Sequence, residues 1–274
     1  MKKRGWLLCL VLCLALCQSC AWPHQETVTI GGQKVAINPD VPENTLQEED
    51  FSQQADGTVI YTGGDYLAGV DVSAHQGEIN WKKVAKQVDF AMIRAGYRGY
   101  TEGKLVEDER FQENISQALK YKLKVGVYFF SQAVTPQEAK AEAKYLLRLI
   151  DAYDIALNVA YDWEYIDNVE FGTARTDTVE EHTVTECAAA FCQTVADAGY
   201  QPAIYCNGML GYFGYDLSQL PGVDVWYADY ADSEPNFAYQ IRMWQYSDSG
   251  AVAGITGNVD LNLYFYDAKS EQEG

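Results

Sequence analysis

Histidine and basic side chains are the scarce groups in this chain. Only His24, His75 and His182 occur in 274 residues, far apart, and no Cys/His cluster has zinc-ligand spacing. Lysine and arginine number 20 against 39 aspartates and glutamates, a formal net charge of −19. That balance argues against nucleic acid as a partner, because binding to phosphates rests on basic residues. It argues equally against docking on an anionic membrane through a basic patch. Cysteine is sparse in the body: four of the seven, Cys9, Cys13, Cys17 and Cys20, crowd the start, leaving Cys187, Cys192 and Cys206. Three are too few for a disulfide framework in a body this large. Cys187 and Cys192 fall on the apolar stripe of a predicted helix and read as small core hydrophobes, and no neighbouring base marks either as a nucleophile. What is present, 48% hydrophobic and 22% charged residues, suits a folded globular protein.

One long apolar run exists, Gly5 to Cys17, behind the basic Met1-Lys-Lys-Arg4. It is too short for a comfortable transmembrane helix and reads as an export signal over residues 1–19. Cys20 after Gln18-Ser19 resembles a lipoprotein box, with Cys17 where leucine is usual. Two fates follow as alternatives, plain secretion or a membrane tether through lipidated Cys20, and both place the protein outside the cell or on its surface. Residues 20–66 are acidic and turn-rich, with Asn38-Pro39-Asp40 and Gly63-Gly64. They read as a linker or N-terminal extension that admits short strands such as Thr27–Ile30.

From residue 67 short apolar runs alternate with amphipathic helical stretches. Strands are expected at Leu67–Val72, Phe90–Arg94, Lys124–Phe130, Ala156–Glu164 and Ala203–Asn207. Helices are expected near Asn80-Trp81, around Phe111–Leu119, after Thr135-Pro136 with Glu138 completing a capping box, and around Val184–Val195 ahead of Gly199. Three further strands, Val223–Tyr230, Tyr239–Ser247 and Val259–Tyr266, are joined mostly by loops. The pattern predicts an α/β fold: an irregular (β/α) barrel of eight strands over residues 67–267, with helices reduced in the last third and a polar tail at 268–274. Chemistry in such barrels sits at the C-terminal mouth.

Acidic residues mark several expected strand ends: Asp71, Asp162, Glu164, Asp229 and Asp260. In Tyr161-Asp162-Trp163-Glu164 the two acids stand two apart after a buried-looking run, so both side chains share one face of the strand. Two carboxyls that close cannot both ionise freely; one keeps its proton, and such a pair is the working part of glycosidic bond cleavage. The 20 tyrosines and 6 tryptophans, many near strand ends (Tyr128, Phe130, Trp226, Tyr227, Tyr230, Trp244, Tyr246), suit sugar faces, although about half should be barrel core. Asp71-Val-Ser73-Ala-His75 lacks a nucleophile elbow and is not read as a triad. Gly96-Tyr-Arg-Gly99 lacks the spacing and lysine of a phosphate loop.

Several blocks, in order, resemble the family 25 glycoside hydrolases, lysozymes of the Chalaropsis type, also called N,O-diacetylmuramidases. They are Gly69-Val-Asp71-Val-Ser73-Ala-His-Gln76-Gly77, Phe90-Ala-Met-Ile-Arg94-Ala, Gly126-Val-Tyr128-Phe-Phe130, Asp162-Trp-Glu164, Ile204-Tyr205, Trp226-Tyr-Ala228-Asp-Tyr230, Trp244-Gln245-Tyr246 and Val259-Asp260. The resemblance implies an irregular β/α barrel that hydrolyses the β-1,4 bond from N-acetylmuramic acid to N-acetylglucosamine in peptidoglycan glycan strands, without metal or cofactor. It implies Glu164 as general acid. Asp162 is its partner, either attacking directly or orienting the substrate's 2-acetamido group as internal nucleophile, and both routes retain configuration. Asp71 and Asp260 are then the other acids at the floor, with Tyr128, Tyr205, Trp226, Tyr230 and Gln245 as candidate substrate contacts. Phe129 or Phe130 stands where many members have His. A strongly negative enzyme also meets an anionic wall with like-charge repulsion. Two other functions stay open on the residues: a non-catalytic wall-binding barrel, and a glycosidase of chitin-like polymers.

Overall fold

In the computed structural model, residues 26–166 and 174–266 are described; the expected leader, Cys20 and the polar tail lie outside them. Two small antiparallel hairpins come first: β1 (Thr27–Ile30) with β2 (Gln33–Ala36), and β3 (Phe51–Gln53) with β4 (Val59–Tyr61). Then follow β5 (Tyr66–Val72), the single-turn α1 (Trp81–Val84), β6 (Phe90–Arg98), β7 (Leu105–Glu107), α2 (Phe111–Lys120), β8 (Lys124–Ser131), α3 (Pro136–Ile150) and β9 (Val159–Trp163). The chain continues through α4 (Glu181–Asp197), β10 (Pro202–Asn207), β11 (Asp224–Ala228), β12 (Met243–Gly250) and β13 (Val259–Phe265).

The sheet runs β5-β13-β12-β11-β10-β9-β8-β6 and closes through a parallel β5–β6 pairing, an eight-stranded barrel with β7 added antiparallel on the outside of β6. All barrel neighbours are parallel except β13, which is antiparallel to both β12 and β5. The reversed strand carries its N-terminal end to the mouth, where Asp260 faces Asp71 in register. β7 and the continuation of β6 to Arg98 were not expected from the sequence.

Alternation along the strands sorts the apolar residues into two layers. Phe90, Met92, Tyr128, Ala160, Ala203, Trp226, Met243 and Tyr264 fill the interior as one cluster. Their neighbours, among them Ala91, Ile93, Val127, Val159, Tyr161, Ile204 and Tyr227, pack outward against the covering layer. Interior space is tight: a Cβ at Gly69 would meet the Phe90 ring, and one at Gly126 would meet the Met92 sulfur. Both positions therefore require glycine for close approach.

Outside the barrel, α2, α3 and α4 bury their apolar stripes, Cys187 and Cys192 included, as expected. Thr135 caps α3 by accepting from the Glu138 amide at 3.3 Å. The Glu138 carboxylate reaches back to the amide of Val134 (3.0 Å), one residue earlier than the expected capping box. After β10 the helices shrink to single turns at Leu210–Gly214 and Leu217–Gln219, and the N-terminal extension covers the gap. Phe51 packs edge-on against Trp244 and Phe265 with ring centroids 5.6 and 6.1 Å apart, and Val59 is buried. Asn44 donates to the Phe237 carbonyl (2.9 Å), and the Tyr239 hydroxyl accepts from the Asn38 amide (2.9 Å). Residues 26–66 thus differ from the expected linker. Their scattered apolar side chains follow no helical or strand period because they fill gaps left by other elements.

Candidate active site

The interior parity that buries Met92, Ala160, Ala203 and Met243 continues two residues further toward the mouth to Arg94, Asp162, Tyr205 and Gln245. On β5 the same step leads from Gly69 to Asp71, and on the reversed β13 from Tyr264 through Asn262 to Asp260. All nine residues singled out in the sequence, Glu164, Asp162, Asp71, Asp260, Tyr128, Tyr205, Trp226, Tyr230 and Gln245, line one cleft of ≈ 320 Å³. Asp229 is not among its walls; its carbonyl accepts from the Trp244 indole (3.0 Å). Tyr227, Trp244 and Tyr246 belong to the outer layer, so the aromatic set divides as expected between cleft and core.

Asp162 is 6% exposed, and Glu164 lies one residue beyond the end of β9, closer to the opening. Their carboxyls lie close enough that each shifts the other's protonation. Burial raises both above the ordinary carboxyl range. Asp162 is pushed up further by the charge of Glu164 and its hydrogen bond, with Asp71 adding and Arg94 opposing. For Glu164 the bond from Asp162 works against the rise and the charge of Asp260 adds to it. Two carboxyls so placed do not both ionise freely, and burial favours the proton most on the deeper Asp162. Asp162 Oδ1 is buried with no hydrogen-bond partner among the described residues.

On the opposite wall Asp71 hydrogen-bonds to Asp260. Burial first and Asp260 second push Asp71 up to about 8. Its Oδ2 accepts from Gln245 Nε2 and from Asn262 Nδ2, both at 2.8 Å. Gln245 Oε1 in turn accepts from the hydroxyls of Tyr205 (2.8 Å) and Tyr230 (2.5 Å). Trp226, expected as a sugar contact, is 1% exposed and supports the floor instead. Its indole donates to Asn262 Oδ1 (2.8 Å), and the rings of Tyr128 and Tyr205 meet it edge-on at 5.7 and 5.0 Å. Tyr230 is about half exposed and stands on the rim.

Sequence reasoning missed Asn262 and Asp108. Asn262 shares a face with Asp260 two residues away, a signal readable once the strand is placed. Asp108 is buried between β7 and α2, accepting from Arg94 Nε (2.8 Å) and the Ala74 amide (3.0 Å), and so fixes one edge of the cleft. Ser73 and His75 form a turn beside it: Ser73 Oγ accepts from the His75 amide (3.2 Å), which agrees with setting the triad aside.

The match to the model of glycosyl hydrolases family 25 runs over residues 70–255. The chain belongs to that family. It is therefore a glycoside hydrolase by descent, with β13 and Asp260 lying just past the matched span. It is 29% identical over 206 residues to the uncharacterized protein YegX of Escherichia coli O157:H7, covering 72% of this chain and 69% of YegX. It is 25% identical over 200 residues to the autolytic lysozyme of Clostridium acetobutylicum, covering 72% of this chain and 56% of the lysozyme. The modular autolysin LytC of Streptococcus pneumoniae, solved with a synthetic peptidoglycan ligand, superposes with a TM-score of 0.65 at 24% identity over 88% of this chain and 58% of LytC. At that identity the likeness to LytC is one of fold. The chain spans little more than half the length of these last two proteins.

Proposed function

We propose that the cleft hydrolyses the β-1,4 bond between N-acetylmuramic acid and N-acetylglucosamine in peptidoglycan, with retention of configuration. The observation that carries this reading is the pairing of Asp162 with Glu164, both raised by burial, in a cleft of ≈ 320 Å³ that also holds Asp71 and Asp260. Glu164, nearer the opening, delivers the proton to the leaving oxygen. The proton first passes over from Asp162, which leaves Asp162 ionised as positive charge builds at the anomeric carbon. Asp162, buried beside Glu164, either attacks the anomeric carbon directly or orients the substrate's 2-acetamido group as internal nucleophile, and both routes retain configuration. Family membership and the peptidoglycan-bound LytC support the substrate class. The leader over residues 1–19, with or without a lipid on Cys20, delivers the enzyme to that substrate outside the cytoplasm.

Glu164→Gln removes the carboxyl that delivers the proton while keeping the shape. It is expected to abolish clearing of purified peptidoglycan and to leave the thermal melt nearly unchanged. Mass analysis of fragments from the wild type should find muramic acid at the new reducing ends. Reducing-end N-acetylglucosamine, or cleavage of chitin oligomers at comparable rates, would give the substrate to the chitin-type reading. Sedimentation with walls and no new reducing sugar would make the barrel a binding module.

A further inference from the structure

We propose that Gln132 is the positioning residue that aims Glu164, an inference that rests on the muramidase reading above. β9 ends at Trp163, so Glu164 stands beyond the last rung of the barrel ladder, whose final pairing here is Ser131 with Trp163. What holds Glu164 is a side chain. Gln132 Nε2 donates to the Glu164 carbonyl at 2.9 Å and to the Ser131 carbonyl at 2.9 Å. Its Oε1 accepts from the Thr176 hydroxyl at 3.0 Å. Gln132 and Thr176 are both fully buried, so neither amide nor hydroxyl can exchange its partner for water.

The turn that carries Gln132 is itself rigid. Ser131 Oγ donates to the buried Glu142 carboxylate (2.6 Å) and accepts from the Ala133 amide (3.1 Å). The Ala133 carbonyl accepts from the Trp163 indole at 3.0 Å. Two successive residues at the end of β9 are therefore hooked to one turn, Trp163 by its own side chain and Glu164 by that of Gln132. Thr176, further along the chain, closes the same clamp. A glutamine suits the place because one group must donate toward β9 and accept from Thr176 at once.

Gln132 does not touch the cleft, so its effect must pass through the set of the Glu164 side chain. Loosening Glu164 weakens the coupling of its carboxyl to that of Asp162. Sharing one proton is what separates the two ionisations of such a pair, so a weaker coupling brings them together. The pH–rate bell then narrows from both sides, which a general loss of stability does not produce.

The test uses Gln132→Met, which keeps the volume and removes both hydrogen-bonding functions, and Thr176→Val, which removes only the hydroxyl. With soluble uncrosslinked peptidoglycan strands, Gln132→Met is expected to lower kcat roughly 10- to 100-fold with KM within about twofold, and to narrow the bell. Thr176→Val is expected to lower kcat roughly 3- to 10-fold in the same manner. A folded Gln132→Met with wild-type kcat, or with reduced kcat and an unchanged bell, overturns the proposal. If Gln132→Met does not fold, Thr176→Val decides: an unchanged profile overturns and a narrowed one supports. Failure of the muramidase reading looks different, since the wild type itself would then release no muramic-ended fragments from these strands.

Discussion

The two walls of the cleft each carry a pair of acids, built in opposite ways. Asp162 and Glu164 come from one strand end, two residues apart; Asp71 and Asp260 meet across an antiparallel rung. Both pairs are raised by burial, yet their oxygens are treated differently. Asp71 Oδ2 is held by two amide donors, themselves anchored by Tyr205, Tyr230 and Trp226. Asp162 Oδ1 has no such partner among the described residues. A carboxyl held by fixed donors is a set part of a wall, while one without them can change its proton and its partner. On the proposed muramidase reading, the difference puts the acid chemistry on the β9 wall and sugar placement on the other.

Substitutions on the two walls test that division, and the largest effects belong to β9. Glu164→Gln should leave no measurable peptidoglycan clearing. Asp162→Asn should cost roughly 10²–10⁴-fold in kcat, because an amide can neither pass a proton to Glu164 nor carry negative charge at the anomeric carbon. Equal losses for Asp71→Asn would erase the distinction. That variant keeps an oxygen for Gln245 and Asn262, so the expected loss is roughly tenfold or less in kcat/KM.

Asp71→Asn has a second signature. The folded protein holds the Asp71 proton up to about pH 8, whereas an ordinary aspartate releases it near 3.8. Between those values the folded state binds the extra proton, so this group's stabilising contribution is complete at the acid end and is lost as pH rises toward 8. The melting temperature of the wild type should carry that downward slope, and Asp71→Asn should make it shallower, the other raised carboxyls keeping the rest. Melting curves in matched buffers at pH 4.5, 6 and 8 measure both.

Most of the β9 wall was legible in the sequence because its geometry is local. A spacing of two on a strand fixes a shared face whatever the rest of the chain does. The β5–β13 wall was only half legible. Asp71 and Asp260 were singled out, but their meeting depends on the reversal of β13, and no residue of that strand announces its direction. Asn262 was missed for the same reason, and Gln132 because its partners lie on three separate segments. In the extension the strand at Thr27–Ile30 was legible, but the segment's packing on the barrel was not, because its apolar residues have no period of their own. Their spacing answers to Trp244 and Phe265, far away in the chain.

That extension supplies the last and smallest expected effect on activity. The early strands are covered by α2, α3 and α4, regular helices with apolar stripes. The outer faces of β12 and β13 are covered instead by the hairpin that begins at Phe51, through two edge-on ring contacts. If this cover does for the last third what the helices do for the rest, Phe51→Ala should destabilise the fold by about 1–3 kcal/mol, below the usual range for a buried phenylalanine because the ring is only partly enclosed. Urea unfolding reads that loss. The rate on soluble glycan strands should stay within about twofold of wild type, because Trp244 and Phe265 face away from the cleft while Gln245 and Asn262 face into it. A wild-type unfolding midpoint would mean that the hairpin only rests on the barrel. A large fall in rate at unchanged stability would tie the extension to the cleft through β12.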